Sequence, residues 1–564
     1  MSNRRHISER LAPSLAEGIP RRVVILVVAI LLFGWVFLYR FNTLGGAFGG
    51  FDNDHFLYYA LAKQVQAGEQ PLRDFQDAMH GAWPSLTYEL SAAAQRLFGD
   101  NLRSEALLTV GGVALGTALA FVAASAIAPW PWAFTAALFA ALLTPKLYGY
   151  PKVLVTAVAS LLIITASGLP TWRRVAAMSV WTAVAFLLRH DYAVYCAVGF
   201  AALIALAGAS PWRARIERAG GYVLITALLL APSLWWIQRY GGLIQYVRNG
   251  LAMSGHEYER TLIRWPRIVL DGVTSPTTLF DRDENAEAWI YYVFIGVPLV
   301  VIGMNARRVW QRSGDDDRAA ALIALSLMTA ALWYSFLRGN LAGRFGEMGP
   351  PIAVLLAWLL AQATAPGRPW PRTVLTASLA VAVCAVSFAG TWRLSSVTSE
   401  LRTARLLEPQ DVIARTRQAS EDLAGMPRSL REAEAADRMQ ASDYLYRCTR
   451  PTDRVIAIGY YPDVPAFSER RFAGGRVTYV AGYYPDERYL RQTIAILGAQ
   501  SVPIVLAGPE FNDEPLRPLA DYVRAHYDEV GDVTIVEGSL HVWTRRGLSG
   551  TASGPNGLPC FGSS

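Results

Sequence analysis

The stretch "GGFDNDHFLYYALAKQVQAGEQPLRDFQD", Gly49–Asp77, places two aspartates, Asp52 and Asp54, directly after the first long apolar run of the chain. A charged carboxylate at the centre of a membrane helix costs about 2.5–3.5 kcal/mol and costs less at the interface, so membrane-edge carboxylates commonly have a function. Their position alone is equally compatible with two side chains that are solvated in the headgroup region. The remainder of the chain has to decide between these interpretations.

The composition is that of a membrane protein with a polar tail. The chain has 564 residues, of which 53% are hydrophobic and 17% are charged, whereas about a quarter of the residues of a soluble protein are charged. Long apolar runs fill the first 392 residues, and a normally polar segment follows. We therefore expect an α-helical polytopic membrane protein with a C-terminal soluble α/β domain. The net charge of +7 does not indicate nucleic-acid binding, because the arginines lie between apolar runs.

The arginine-rich loops predict the orientation in the membrane. Eleven apolar segments are predicted to span it, at about 22–40, 104–128, 132–146, 152–169, 175–189, 192–209, 220–237, 289–305, 319–337, 350–364 and 374–392. If the N-terminal segment 1–21 is cytoplasmic, alternation places every short arginine-rich loop on the inner side, as the positive-inside rule requires. The predicted location is the bacterial inner membrane. Two segments, 132–146 and 175–189, are short for a crossing and require tilt or local thinning.

The predicted domains follow from this orientation. A transmembrane domain at 22–392 has two long outer loops, 41–103 and 238–288, and an extracytoplasmic α/β domain follows at 393–548. The last residues, 549–564, are low in hydrophobicity and are predicted to be disordered. The loop 238–288 shows no clear periodicity, and loops of this length are often lids.

Two helices are predicted in the first outer loop. "HFLYYALAKQVQAG", after Asp54, has helical spacing and a stop at Gly68, and Ser85–Gly99 reads as a second, amphipathic helix that ends at Gly99. Both are expected to lie in the interface beside the bilayer.

The tail alternates between helical and strand patterns. Helices are predicted at 425–447, 487–499 and 516–528, strands at 453–459, 476–482 and 502–508, and a hairpin in "VTIVEGSLHVWTRR". No glycine-rich phosphate loop opens a helix, so no nucleotide site is expected. The domain either caps the membrane domain and helps to dock the acceptor or is a passive folding unit. Cys448 and Cys560 lie in this tail and either form a disulfide or remain thiols.

The first outer loop resembles that of the GT-C glycosyltransferases, specifically the bacterial relatives of protein O-mannosyltransferases and aminoarabinose transferases. In that family an Asp-Glu pair follows the first span, and a tyrosine-rich helix leads to a Gly-x-x-x-Tyr-Arg-Asp type segment, a proline and a helix ending in Phe-Gly. This chain has Asp52, "YYALA", "AGEQPLRDFQD", Pro84 and "RLFG" in that order. It departs at Asn53 and Leu72, where the family commonly has Glu and Tyr.

The resemblance implies an enzyme that transfers a sugar from a polyprenyl-phosphate donor to an acceptor hydroxyl on the outer, periplasmic side. The acceptor would be an envelope glycan, lipopolysaccharide, lipid or protein. Such a reaction, with inversion, needs a carboxylate base for the hydroxyl and fixed positive charge for the departing phosphate. Asp52 is the predicted base, and Asp54 supports it at the N-terminus of a helix. The exchanged assignment, with Asp54 as the base, stays open.

The candidate substrate-binding residues are mostly basic groups predicted on the outer side. They are Arg189, Asp191, Lys146, Tyr148, Lys152, Arg338, Arg344, Arg73, Asp74 and His80. Arg189 is the first choice for the donor phosphate, and the alternatives are a snorkelling arginine or an ion pair with Asp191. Arg338 and Arg344 are the second choice. Arg73 and Asp74 have a simpler interpretation as a pair that holds the loop in shape.

No cofactor is expected, and a divalent metal is the less favoured alternative. Asp52-Asn53-Asp54 superficially resembles Asp-x-Asp, and His55 or His80 could add ligands, but the chain has no HExxH, paired Cys-x-x-Cys or EF-hand motif. The alternative function is a transporter or flippase of envelope lipids or glycans. Transporters commonly have repeated halves with broken helices at mid-depth, and this pattern is not evident in the sequence.

The orientation can be tested by fusing reporters after residue 393. We expect an alkaline phosphatase fusion at this point to be active and a cytoplasmic reporter at the same point to be silent, because an odd number of spans places the tail outside. Fusions after residue 212, in an arginine-rich inner loop, serve as the control and should show the opposite pattern. An inactive phosphatase beside an active cytoplasmic reporter at residue 393 would contradict the orientation.

Overall fold

The computed structural model describes most of the chain as helical layers followed by an α/β domain. The described residues are 20–44, 53–76, 85–143, 150–166, 168–207, 210–260, 265–272, 282–310, 316–333, 344–364, 370–426, 436–480, 487–535, 538–550, 552–554 and 557–562. The helices of the first part are α1 Arg21–Thr43, α2 Asn53–Gln66, α3 Ser85–Phe98, α4 Leu102–Ser125, α5 Trp130–Leu142, α6 Tyr150–Ile164, α7 Trp172–Leu188, α8 His190–Leu206, α9 Trp212–Tyr240, α10 Leu243–Arg260, α11 Asp283–Trp310, α12 Asp316–Trp333, α13 Phe345–Ala363 and α14 Trp370–Leu394.

Helix α4 is at the centre of this part and packs against α1, α5, α6 and α13. Its contact with α6 depends on small residues: a Cβ added to Gly116 would lie 3.1 Å from the backbone carbonyl of Val153. Small residues allow helix backbones to approach closely in membranes, where apolar burial does not drive helix association. This close contact fixes the beginning of α6, which carries a residue of the candidate site.

All eleven predicted spans overlap with helices, but not all of these helices are long. Within the described residues, five helices (α1, α4, α9, α11 and α13) are long and apolar enough to cross a membrane, and the bent pair 381–394 and 397–403 would be a sixth. The helices α5, α6 and α8 are apolar but have 13, 15 and 17 residues, fewer than the roughly 20 of a full crossing. The count of eleven spans therefore stays a prediction.

Both helices predicted in the first outer loop are present. Helix α2 begins at Asn53 and Gly68 follows it with φ +83°, while α3 is followed by Gly99 with φ +101°. Glycine is suited to these ends because left-handed backbone strains other residues. Helix α2 is buried along nearly its whole described length, between α3 and the tail. Its expected place in the interface beside the bilayer stays a prediction.

Part of the loop 238–288, which shows no clear periodicity in the sequence, is helical. Helix α9 continues to Tyr240, and after a left-handed Gly242 the amphipathic helix α10 runs from Leu243 to Arg260. Tyr246 of α10 is buried and bonds to His190 at the start of α8. The apolar side chains of Ile244, Val247 and Leu251 in α10 are exposed.

The tail contains a five-stranded sheet between helices. Its elements are α15 Val397–Thr403, α16 Pro409–Gly425, α17 Ala436–Cys448, β1 Arg454–Ile458, α18 Asp463–Phe467, β2 Arg471–Phe472, α19 Glu487–Ala499, β3 Ile504–Ala507, the 3₁₀ turns Pro509–Asn512 and Glu514–Leu516, α20 Arg517–His526, β4 Tyr527–Ile535, β5 Gly538–Arg545, β6 Ala552–Ser553 and β7 Pro559–Cys560. The strand order is β2-β1-β3-β5-β4, with β1 parallel to β2 and β3. The predicted α/β layer is confirmed.

One predicted strand of the tail is wrong. Of the segment 476–482, residues 476–480 are described and form no strand of the sheet. Tyr479 is fully buried, and its N–H donates to the Gly459 carbonyl over 2.9 Å. Burial of Tyr479 and the neighbouring aliphatic residues explains the apolar pattern without a strand.

The end of the chain was predicted to be disordered, and this is wrong for its described residues. Strands β6 and β7 pair as a small hairpin, and a disulfide joins Cys448 to Cys560 across 112 residues. Leu558 and Phe561 are buried beside it. A disulfide that closes a long loop restricts the unfolded chain, so a segment of low overall hydrophobicity is held in place.

Candidate functional site

The first component of the candidate site is a buried ion pair. Lys152, in the first turn of α6, contacts Glu347, in the first turn of α13, and their side chains are only 3% and 2% exposed. The Tyr192 hydroxyl of α8 donates a hydrogen bond to Glu347 Oε2 over 3.1 Å. A charge buried at this depth is tolerated only when it is paired and hydrogen-bonded. The three groups therefore tie together the ends of three helices.

The second component is an ion pair at the junction of α7 and α8. Arg189 lies between the two helices, and its Nε is 3.0 Å from Asp191 Oδ1. The two side chains are 23% and 26% exposed, so they are partly accessible. Asp191 also accepts a hydrogen bond from the Tyr192 N–H over 3.1 Å. The geometry thus contains the Arg189–Asp191 pair that the sequence offered as one alternative.

These two pairs belong to one cluster. Tyr192 contacts Glu347 with its hydroxyl, and its ring centre is 6.0 Å from the Arg189 guanidinium. Arg189 and Arg344, which precedes α13, both act electrostatically on the Lys152 ammonium. Four predicted substrate-binding residues that are far apart in sequence, Arg189, Asp191, Lys152 and Arg344, are therefore brought together.

The cluster adjoins the helix that follows the two aspartates. Tyr58 of α2 is near enough to Arg189 to interact with it electrostatically. Helix α3 is also fixed to this region, because Thr87 Oγ1 donates to the Leu188 carbonyl over 2.9 Å. The first outer loop and the cation cluster are thus parts of the same region.

Some predicted site residues lie outside the described part of the chain. These are Asp52, His80, Lys146, Tyr148 and Arg338. Asp54 is described as backbone in the first turn of α2, in agreement with a helix start near this residue. The roles assigned to these six residues stay predictions.

Arg73 and Asp74 are not in the cluster but pair within the first loop. Arg73 Nη2 is 2.6 Å from Asp74 Oδ2, and the Gln70 N–H donates to the same oxygen over 2.7 Å. Partial burial raises the pKa of Asp74, but the hydrogen bonds from Arg73 and Gln70 outweigh it and the pKa is lowered. The pair therefore shapes the turn, which includes Leu72 at φ +67°.

The same loop is attached to the tail. Glu69 bonds to Arg454 and lies 3.2 Å from Arg471 Nη1, and both arginines belong to the sheet. The Gln76 N–H donates to the Gly475 carbonyl over 2.8 Å. The tail therefore covers the first outer loop directly.

Sequence reasoning missed three polar residues that complete this region. Two of them are Glu347 and Tyr192, which contact each other beside Lys152. The third is Glu105 of α4, which is 1% exposed and lies 3.5 Å from His55 of α2. Gln95 also donates to Glu105 over 2.8 Å. For the two glutamates the sequence offered one signal. An acidic residue at the edge of an apolar run is costly, so it is commonly functional or paired with another group.

A different group of residues offers the ligand atoms that a metal would need. Within the described residues it consists of Glu529, Asp532 and His541 on the β4–β5 hairpin, where His541 Nδ1 is 3.1 Å and 2.8 Å from the two carboxylates. All three are exposed. The hairpin belongs to the tail sheet and provides none of the residues of the cation cluster.

Comparison with known proteins finds similarity at the level of structure. No family model matches the chain, and no curated protein matches it. An oligosaccharyltransferase from Archaeoglobus fulgidus in its apo form is 12% identical, with a TM-score of 0.47 over 93% of this chain and 75% of that one. Its complex with zinc and sulfate gives 13% identity and a TM-score of 0.46, with 92% and 73% covered.

A further similar structure is ArnT from Cupriavidus metallidurans bound to undecaprenyl phosphate. It is 14% identical, with a TM-score of 0.48 over 94% of this chain and 99% of that one. Identities of 12–14% and TM-scores below 0.5 do not establish an activity for this chain.

The buried pair yields a prediction about stability. Replacing Glu347 with Ala strands the Lys152 charge, so we expect the free energy of unfolding to fall by about 3–5 kcal/mol. The double variant Lys152→Met/Glu347→Leu should recover most of this loss, because an apolar pair of similar volume often replaces a buried ion pair without destabilisation. Unfolding of the purified protein in detergent measures both. A Glu347→Ala protein as stable as the parent would show that Lys152 does not depend on this carboxylate.

Proposed function

We propose that this protein is a membrane glycosyltransferase that moves a sugar from a polyprenyl-phosphate donor to an acceptor hydroxyl on the outer side of the membrane. The observation that carries the proposal is the cluster of Lys152, Arg189 and Arg344 around two carboxylates, adjoining α2. The resemblance of the first loop to the GT-C glycosyltransferases supports the same reaction.

The charges of the cluster suit a lipid phosphate. Lys152, Arg189 and Arg344 carry three positive charges, and Asp191 and Glu347 carry two negative charges, so these five groups together favour an anion. A phosphate leaving group gains negative charge as the sugar departs, and preorganised cations stabilise that charge most effectively where water is excluded. Arg189 is partly accessible, and its planar guanidinium can bind two phosphate oxygens at once.

The base of the reaction is Asp52. Phosphate is already a good leaving group, so the enzyme needs no acid, but the acceptor hydroxyl must lose a proton as it attacks the sugar. A carboxylate on the face of the sugar opposite the phosphate gives inversion. Asp52 directly precedes α2, and Tyr58 of the same helix interacts with Arg189. The position of Asp52 directly before this helix supports a base near the cluster of Lys152, Arg189 and Arg344.

The orientation and the pathway belong to the same proposal. The tail, 393–548, is assigned to the periplasmic side of a bacterial inner membrane, where it covers the first loop through Glu69 and Gln76. The acceptor is assigned to the cell envelope, as a glycan, lipopolysaccharide, lipid or protein. The contacts between tail and loop support a capping role for the tail rather than a passive one.

Arg189 is predicted to hold the donor phosphate. Arg189→Lys should retain part of the activity, because the charge survives while the planar fork is lost. Arg189→Ala should lower kcat on the order of 10²-fold or more, as loss of a transition-state donor does. Transfer in membrane vesicles loaded with prenyl-linked sugars measures this. Arg213→Ala, at an exposed pair with Glu217 in α9, is the control, and near-normal turnover of Arg189→Ala would move the role to Lys152 or Arg344.

Asp52 and Asp54 are distinguished by replacement with Asn. Asp52→Asn keeps the shape but cannot take a proton, so a deletion strain that expresses it should still accumulate the unused prenyl-linked sugar. Asp54→Asn should restore transfer substantially, because Asn serves the first turn of a helix about as well as Asp. Lipid extracts analysed by mass spectrometry report the accumulated donor. The opposite result for the two variants would exchange their roles, and no accumulated donor in the deletion strain would contradict the proposed reaction.

A further inference from the structure

A second buried charge lies at the outer end of α1. Arg40 is 4% exposed, and its Nη2 donates to the carbonyls of Ala141 and Leu143 over 2.7 and 2.9 Å. Its Nη1 lies 3.1 Å from Glu400 Oε2. An arginine buried in a membrane segment requires such acceptors, because its desolvation is otherwise too costly. Arg40 thereby fastens the end of α1 to the end of α5.

Glu400 brings the tail into this contact. It lies on α15, which follows the end of α14 at an angle of 56°. Its Oε2 also accepts a hydrogen bond from the Tyr39 hydroxyl, and the Tyr39 ring is fully buried. One carboxylate of the tail thus holds two consecutive side chains in the last turns of α1.

A second residue of the tail holds the same end of α1. Arg415 of α16 donates from Nε to the Asn42 carbonyl over 3.0 Å and from Nη2 to the Leu44 carbonyl over 3.1 Å. Carbonyls at the C-terminus of a helix lack partners within the helix, and a cation there is favoured by the helix dipole. Glu400 and Arg415 use different side chains of the tail, and both hold the end of α1 in place.

Along the chain, both helix ends are followed by residues that the sequence analysis selected as candidates for the site. The chain continues from Leu44 to Asp52 and from Leu143 to Lys146. We propose that Arg40 and Glu400 are positioning residues, through which the tail fixes the ends of α1 and α5 relative to each other and so supports turnover by the proposed transferase. This inference rests on the proposed function, and it makes the tail part of the catalytic apparatus.

The experiment combines kinetics with hydrogen exchange on the full-length protein in detergent. Glu400→Ala should lower kcat about 10²-fold, as small displacements of reacting groups do, with the KM for the prenyl-linked donor nearly unchanged. Amides of residues 39–44 and 139–143 should exchange faster, and amides of β1 and β3 should not change. Glu400→Gln keeps an acceptor oxygen for Tyr39 and Arg40, so it should fold and recover most of both effects.

The control is a nearby ion pair that contacts neither helix end. Arg393 at the end of α14 pairs with Asp283 of α11 over 2.7 Å, and both side chains are exposed. Arg393→Gln should leave kcat and the exchange of 39–44 unchanged. Unchanged exchange in Glu400→Ala, or an equal loss of kcat in Arg393→Gln, overturns the inference. If the parent protein transfers no sugar from any prenyl-linked donor, the proposed function fails, and faster exchange in Glu400→Ala alone still establishes the structural coupling.

Discussion

A charge that is removed from water must be paired, and the pair of Lys152 and Glu347 shows what this requires of the fold. Both side chains are almost fully buried, so neither can be left without the other. The pair holds the start of α6 against the start of α13, and Tyr192 adds α8. The close approach of α4 and α6 at Gly116 supports the same alignment. The position of the other groups near the site, Arg189 included, depends on this junction.

Much of the fold could be predicted because it follows from local patterns. Apolar runs located the helices, and Gly68 and Gly99 marked the ends of α2 and α3. The errors occurred where long-range contacts override such patterns. Residues 476–482 read as a strand, but their described part, 476–480, is held by the burial of Tyr479 and its hydrogen bond to Gly459 and pairs with no strand of the sheet. The last residues read as disordered, but the Cys448–Cys560 disulfide and the burial of their apolar side chains hold them.

The candidate site could be predicted in part for the same reason. Arginines predicted on the outer side would depart from the positive-inside rule, and this predicted departure favoured Arg189 and Arg344 in the sequence. Glu347 was missed because its partner Lys152 lies 195 residues away and nothing local announces the pair. An acid that begins an apolar helix is informative only when its counter-charge is known. Pairing across the chain is thus the information that a single sequence does not provide.

The two kinds of ion pair at the first loop differ in what they contribute. Arg73 and Asp74 are 42% and 31% exposed, and exposed pairs contribute little to stability because water and salt screen them. They define a turn but do not hold the loop against the rest of the protein. That attachment comes from Glu69 against the sheet and from Phe75, whose ring meets Phe472 edge-on at 6.0 Å. This segment follows α2, whose Tyr58 lies within electrostatic range of Arg189, so one continuous stretch of chain joins the contact with the tail to the cation cluster.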